Sequence, residues 1–426
     1  MAGIKLQKRG DDFFVSYGHA DLSRVSHIVD WLKRICGLKL WFDTDDGNAS
    51  TRSSELLARA ICNARGALFF LSDGWKRSSW CKNEYDVALS EQRMHEGFEV
   101  VAVQLDDVEP PSWFTVAEII DLRSTDGRAS ARLLRSLASD VPHRFDNAQD
   151  VYLAAPWSRP SSLARDVFAA LRSVGWRLVG DSPNLEYLGV ARIEAIIRTT
   201  RGVVALLPHD PAQGPHATSP YIVKEAELAV ACGKPLLLLA EPGVSPPDAL
   251  TAVAFRGAPV PLSAGADGRA ALAAALEDFD ESLGSSPHDD TRAFIFFAGS
   301  LLGDWAETED LALVIERASN MRCVRGERVP AGSDTVQRAI VDLIRRAALV
   351  IADVTDDHRN TLIETGIAMG CGTPLRLIVH APGGQMPKRR FMFEGQEYHG
   401  YQSPEERLGL CYYFARQFRR RVYVVR

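Results

Sequence analysis

The feature that most constrains this chain is a stretch written twice. Glu225-Ala226-Glu227-Leu228-Ala229-Val230-Ala231-Cys232-Gly233-Lys234-Pro235-Leu236 lines up with Glu364-Thr365-Gly366-Ile367-Ala368-Met369-Gly370-Cys371-Gly372-Thr373-Pro374-Leu375; Glu, Ala, Cys, Gly, Pro and Leu coincide. Each copy reads as a helix, a glycine stop, a proline and a buried strand. The N-terminal part shares the skeleton, since Arg65-Gly66-Ala67-Leu68 parallels Arg201-Gly202-Val203-Val204. Glu84 also stands four before Ala88, as Glu225 and Glu364 stand four before Ala229 and Ala368. Strand must therefore alternate with helix, and three successive α/β units are expected, over 1–140, 150–284 and 291–426, with polar joints between them.

A length of 426 residues accommodates two to four domains. The balance of 49 Lys+Arg against 55 Asp+Glu, a formal charge of -6, argues against a direct DNA or RNA target. Met1 to Asp12 lacks the apolar core of a signal peptide, and runs such as Leu236 to Ala240 are too short to span a membrane. Seven scattered cysteines suit reduced thiols rather than disulfides or zinc. A soluble, cytoplasmic protein is the expectation.

In the first unit, strands are expected at Asp12 to Tyr17, Leu38 to Phe42, Ala67 to Leu71, Val100 to Leu105 and Glu118 to Leu122, with helices between. Ser78 or Ser79 would cap a helix carrying Trp80 and Glu84, which lie four apart and so share a face. In parallel sheets ligands bind beyond the carboxyl ends of the strands, where Gly18, Asp43, Ser72 and this helix converge. One helical Glu can be an ordinary surface charge; the Trp and the strand-end placement favour a site.

Phe14-Val15-Ser16-Tyr17, Trp41-Phe42-Asp43 and Trp80-Cys81-Lys82-Asn83-Glu84, in this order and spacing, resemble the signature boxes of a TIR domain. The resemblance implies a flavodoxin-like fold and, for the enzymatic branch, cleavage of NAD+ with Glu84 as catalytic residue. Adaptor members commonly lack this glutamate. The chemistry suits so sparse a site, because nicotinamide leaves as a neutral pyridine and needs no general acid. Glu84 would hold the ribose hydroxyls and steady the positive charge developing on the sugar. Tyr17, Gly18, His19, Asp43, Ser72, Trp80 and Cys81 would border the substrate. Trp80 could stack on a substrate ring or simply pack its helix onto the sheet, His19 could serve as a base, and Cys81 reads as a small buried hydrophobe. Asp43, Asp45 and Asp46 invite a metal, but the segment with Asp45, Asp46 and Gly47 matches the loop through which TIR domains contact one another, so assembly is expected there and no metal or cofactor.

The second and third units are expected as two related halves of one sensor domain, so that all three units are flavodoxin/Rossmann-like. Their architecture resembles a SAVED domain of paired CARF-like halves, which implies recognition of a cyclic oligonucleotide, of oligoadenylate type, as in CBASS antiviral defence. Hydrogen-bond donors and cations where the halves meet would hold such a ligand; the candidates are Trp157, Ser158, Arg159, Gly299, Ser300, Arg359, Lys388 and Arg389. The whole then reads as an NAD+ glycohydrolase switched on when ligand drives self-association into an oligomer or filament. Val350 to Leu375 is also similar to nucleoside deoxyribosyltransferases, so an N-glycosidase using Asp353 and Glu364 is one alternative, and a non-enzymatic TIR scaffold another. Asp353, Asp356, Asp357 and His358 are read as helix-initiating residues rather than a metal cluster, and Arg419-Arg420-Arg421 as the exposed end of a terminal helix.

Overall fold

The run Ala64-Arg65-Gly66-Ala67-Leu68-Phe69-Phe70-Leu71 is buried at every position, as a central strand of a sheet covered on both faces must be. In the computed structural model, which describes residues 11–42, 54–95, 98–116, 118–123, 127–138, 150–156, 161–181, 190–210, 214, 217–284, 294–299, 305–326, 336–356, 358–388 and 393–422, this strand is β3 of the first unit. Around it lie β1 (Asp11–Tyr17), α1 (Leu22–Arg34), β2 (Leu40–Trp41), α2 (Ser54–Asn63), α3 (Asp73–Arg77), α4 (Ser79–Met94), β4 (Glu99–Gln104), β5 (Ile119–Asp121) and α5 (Gly127–Leu137). The sheet is all parallel in the order β2-β1-β3-β4-β5. Alternate residues of a strand point to opposite faces. Phe13 and Val15 accordingly join the core under α1 and α5, whereas Phe14 joins the core under α2 and α4.

The second unit runs through β6 (Asp150–Ala154), α6 (Ser162–Ser173), β7 (Arg177–Asp181), α7 (Val190–Arg198), β8 (Gly202–Leu207), α8 (Pro220–Ala231), β9 (Leu236–Ala240), α9 (Asp248–Thr251), β10 (Val260–Pro261) and α10 (Ala266–Gly284). The third runs through β11 (Phe294–Ala298), α11 (Trp305–Ser319), β12 (Arg322–Arg325), α12 (Val336–Arg346), β13 (Leu349–Asp353), α13 (Arg359–Cys371), β14 (Leu375–His380), β15 (Tyr398–Tyr401) and α14 (Pro404–Gln417). Both repeat the first unit's strand order with parallel pairing: β10-β9-β8-β6-β7 and β12-β11-β13-β14-β15. The twice-written stretch folds the same way in each. Gly233 and Gly372 take φ of 66° and 68°; Lys234 and Thr373 donate their amides to Ala229 and Ala368, closing each helix in a Schellman turn.

Two features depart from the sequence expectation. The stretch Glu241 to Gly268, whose Pro, Gly and Ala content reads as loop in the sequence, contains α9 and the edge strand β10, whose Pro261 sits where, among the described residues, no further strand needs an amide. Arg419-Arg420-Arg421 is not an exposed helix end. β16 (Arg420–Val422) adds antiparallel to β7 and completes the second unit's sheet, and Arg420, fully buried, pairs with the equally buried Asp150 at 2.7 Å.

The first and third units share one core. Phe13, Leu32, Leu68, Leu134 and Leu137 belong to the same cluster as Leu311, Ile315, Ile351, Tyr412 and Phe414, because α11 and α14 lie on α5 and α1. Gly409 lets α14 approach closely: a Cβ there would stand 2.7 Å from Ile35 Cγ2 and 3.1 Å from Cys36 Sγ. Arg416 closes the junction with an ion pair to Asp12 at 2.5 Å and a bond to the Gly37 carbonyl at 3.1 Å.

Candidate functional site

With strand order 2-1-3-4-5, the chain reverses its direction of travel across the sheet between β1 and β3, the point in parallel α/β sheets beside which ligands bind. Gly18 follows β1 and is pressed against α3; a Cβ there would lie 2.6 Å from the Trp75 amide and 2.9 Å from the Gly74 carbonyl carbon. Ser72 follows β3, is buried, accepts the Trp75 amide at 3.0 Å to cap α3, and donates to Asp21 at 2.5 Å. These contacts stitch the two loops together.

Ser78 caps α4 by accepting the Cys81 amide at 3.2 Å, so Glu84 falls in the second turn, as the spacing predicts. Glu84 is only 7 % exposed. It reaches inward to β1, where Ser16 Oγ donates to its Oε2 at 2.5 Å. Ser16 Oγ in turn accepts from Trp75 Nε1 at 2.9 Å, and the Trp75 ring is fixed edge-on against Phe69 and Phe114 and tilted against Trp113. One carboxylate is thereby held at the carboxyl end of the first strand, with a hydroxyl and an indole behind it.

Of the other first-unit candidates, Tyr17 ends β1 half-buried with its ring 5.1 Å from Phe42. His19 is exposed at the start of the short turn His19–Asp21. Trp80 is half-buried and packs on the core beneath α4. Cys81 is buried and donates to the Tyr17 carbonyl at 3.4 Å. Burial, with the Glu84 charge adding to it, pushes its thiol up to about 12, which removes it as a nucleophile near neutral pH. Asp43, Asp45, Asp46 and Gly47 lie outside the described residues. Ser16 and Trp75 are the participants that sequence reasoning passed over. Their signal was a hydroxyl directly after the apolar run Phe13-Phe14-Val15, and a tryptophan directly behind the Ser72-Asp73-Gly74 turn.

In the later units the structure does not gather the sensor candidates into one cluster among the described residues. Arg359 and Lys388 are exposed, Gly299 follows β11, and Trp157, Ser158, Arg159, Ser300 and Arg389 lie outside the described residues. The polar groups that do converge are different ones. Asp353, at the end of β13, pairs with Arg407 at 2.7 Å and accepts from Tyr401 at 3.0 Å and Thr355 at 2.5 Å. Those bonds replace the helix-initiating role expected of it. Glu225 is buried at the α8 position corresponding to Glu84, near the buried Asp181–Arg192 pair. Among the described residues no group of His, Cys, Asp and Glu could hold a metal ion, and no helix is long and apolar enough to cross a membrane. A small cleft lies at the junction of units, lined by Arg128, Glu307, Asp310 and Arg407, away from Glu84.

Residues 13–135 match the family model of the TIR domain. Among solved structures, the TIR domain of the Toll-related receptor TRR-2 from the lower metazoan Hydra magnipapillata matches at 17 % identity and a TM-score of 0.26, over 30 % of this chain and 99 % of that one. No curated protein matches the chain.

Proposed function

We propose that this chain, which carries a TIR domain at its N-terminus, cleaves NAD+ between nicotinamide and ribose with Glu84 as the catalytic carboxylate. The observation that supports this reading is the Glu84 carboxylate itself, anchored by Ser16 at the mouth between β1 and β3. As the C–N bond lengthens, the ribose gains oxocarbenium character and the pyridinium becomes neutral nicotinamide. A fixed anion beside the sugar lowers the energy of that state more than of the ground state. Water, or the adenine end of the same molecule, completes the displacement. Tyr17, Gly18, His19 and Ser72 border the nucleotide, and Trp80 lies on the same helix as Glu84.

On this proposal the second and third units form a sensor for a cyclic oligonucleotide of oligoadenylate type. Ligand would drive chains together, and neighbouring TIR domains would complete each other's sites, in the manner of a CBASS antiviral effector. The paired α/β units with identical strand order support such a two-part sensor. Gating is needed because constitutive loss of NAD+ would harm the host cell.

The test is turnover of an etheno-NAD+ analogue by the full chain against a panel of cyclic di-, tri- and tetra-adenylates. Glu84→Gln preserves size and removes charge, so it should lower activated turnover by about a thousandfold or more while self-association in response to ligand persists. Retained turnover would move the chemistry elsewhere; equal turnover by unliganded, monomeric protein would end the gating idea.

A further inference from the structure

We infer that Ser16 is a positioning residue for Glu84, and that Trp75 orients the Ser16 hydroxyl for this task. The inference rests on the reading of Glu84 as the catalytic carboxylate. Ser16 is 1 % exposed on a strand whose neighbours Phe14 and Val15 are apolar, so its hydroxyl serves no solvent and is costly there unless bonded. Its two bonds have a fixed sense. The indole Nε1 of Trp75 can only donate, so it takes a lone pair of Ser16 Oγ at 2.9 Å. The Ser16 proton is then directed to Glu84 Oε2 at 2.5 Å, within the range of a charge-assisted bond to a carboxylate.

Trp75 has little freedom to release this hold. It is 1 % exposed, sits in the single turn of α3 capped by Ser72, and is wedged among Phe69, Trp113 and Phe114. The relay therefore runs from a rigid aromatic core, through one hydroxyl, to one carboxylate oxygen. Its chemical consequence concerns charge. A carboxylate that steadies a cationic sugar must be ionised, while burial of the kind seen at Glu84 favours the protonated acid. A donor bond to the charged form opposes that tendency and fixes the rotamer as well. Of its partners among the described residues, Cys81 on the same helix stays a neutral thiol near neutral pH, and Ser16 and Trp75, from β1 and α3, carry no charge.

The deciding measurement is the titration of the Glu84 carboxyl in the full-length chain. It is read as the infrared carboxyl band that disappears when Glu84→Gln is introduced, first in the wild-type background and then in Ser16→Ala. Alanine fits the Ser16 site without strain, and thermal unfolding confirms that the variant is folded. The midpoint should rise by about one pH unit or more in Ser16→Ala, since only the charged form loses a donor. Trp75→Phe, which keeps a ring and drops the N–H, should move it the same way by less. With NAD+ as substrate, kcat of Ser16→Ala should fall about tenfold to a hundredfold with a smaller change in KM, and the acidic limb of the rate profile should follow the infrared midpoint. An unchanged midpoint in Ser16→Ala overturns the inference whatever the rate does; an unchanged midpoint in Trp75→Phe removes Trp75 from it. Activity surviving Glu84→Gln would instead strike at the assignment of Glu84, leaving the relay as a structural bond.

Discussion

Glu225 occupies on α8 the place that Glu84 occupies on α4, but its surroundings give it another character. It lies 4 % exposed beside Asp181, whose carboxylate is already matched to Arg192 at 2.6 Å. Burial first, and the Asp181 charge second, raise its carboxyl from 4.5 to about 8, against a smaller opposing contribution from Tyr152. A group whose folded value lies above its unfolded one stabilises the fold fully below the unfolded value and less as pH rises through the folded one. The second unit should therefore lose stability between about pH 4.5 and pH 8. Glu225→Gln should flatten that stretch of the melting profile and add stability at pH 8 on the order of a few kcal/mol, read as a higher melting temperature there. A variant that melts in parallel with wild type across this window would show Glu225 to be in contact with water. Side chains at matching positions of a repeat thus diverge by environment: Ser16 opposite Glu84, a second acid opposite Glu225.

Among the elements, α14 carries the heaviest structural duty. At its first turns Arg407 ties it to Asp353 of β13, along its middle Gly409 presses on α1, and at its end Arg416 grips Asp12 of β1. Gly409→Val would drive a branched side chain into Ile35, Cys36 and Trp31. The cost should be about 1–3 kcal/mol from overpacking, even after the gain in helix propensity. It should show as a lower melting temperature and faster amide exchange in α1, and normal exchange there would mean that α14 stands off from α1. The sequence disclosed elements well and their partnerships poorly. The six coinciding residues of the repeat, together with buried runs such as Leu236 to Ala240, were enough for strands, helix stops and the order of units. Glu84 was legible because a capped helix fixes its turn and face. Ser16 was legible only as a hydroxyl beside an apolar run, since nothing local says that it will meet Glu84, so distant in sequence. Arg420 misled for a related reason: three consecutive arginines look solvated until a buried Asp150 from another unit is brought to meet one of them.

For the whole molecule, the shared core means that the first and third units should unfold as one body. In calorimetry, their melting should be a single transition, with exchange protection in α5 and α11 lost together. A fragment ending at residue 140 would keep its sheet but bare the apolar sides of α1 and α5. It should bind a hydrophobic dye and melt well below the full chain, and a fragment as stable as the parent would show the junction to be incidental. The same junction also limits how any TIR-to-TIR contact can form, because α1 and α5 are already covered from within the chain by α11 and α14.

During synthesis the order of events is set by where β16 lies. The second sheet leaves the ribosome with one side of β7 unpaired, and that vacancy is filled only by Arg420–Val422, translated long afterwards. A chain released early would hold a TIR unit lacking its cover and a middle unit lacking its sixth strand, so truncation anywhere upstream of these residues should yield material for proteolysis rather than a shorter working protein.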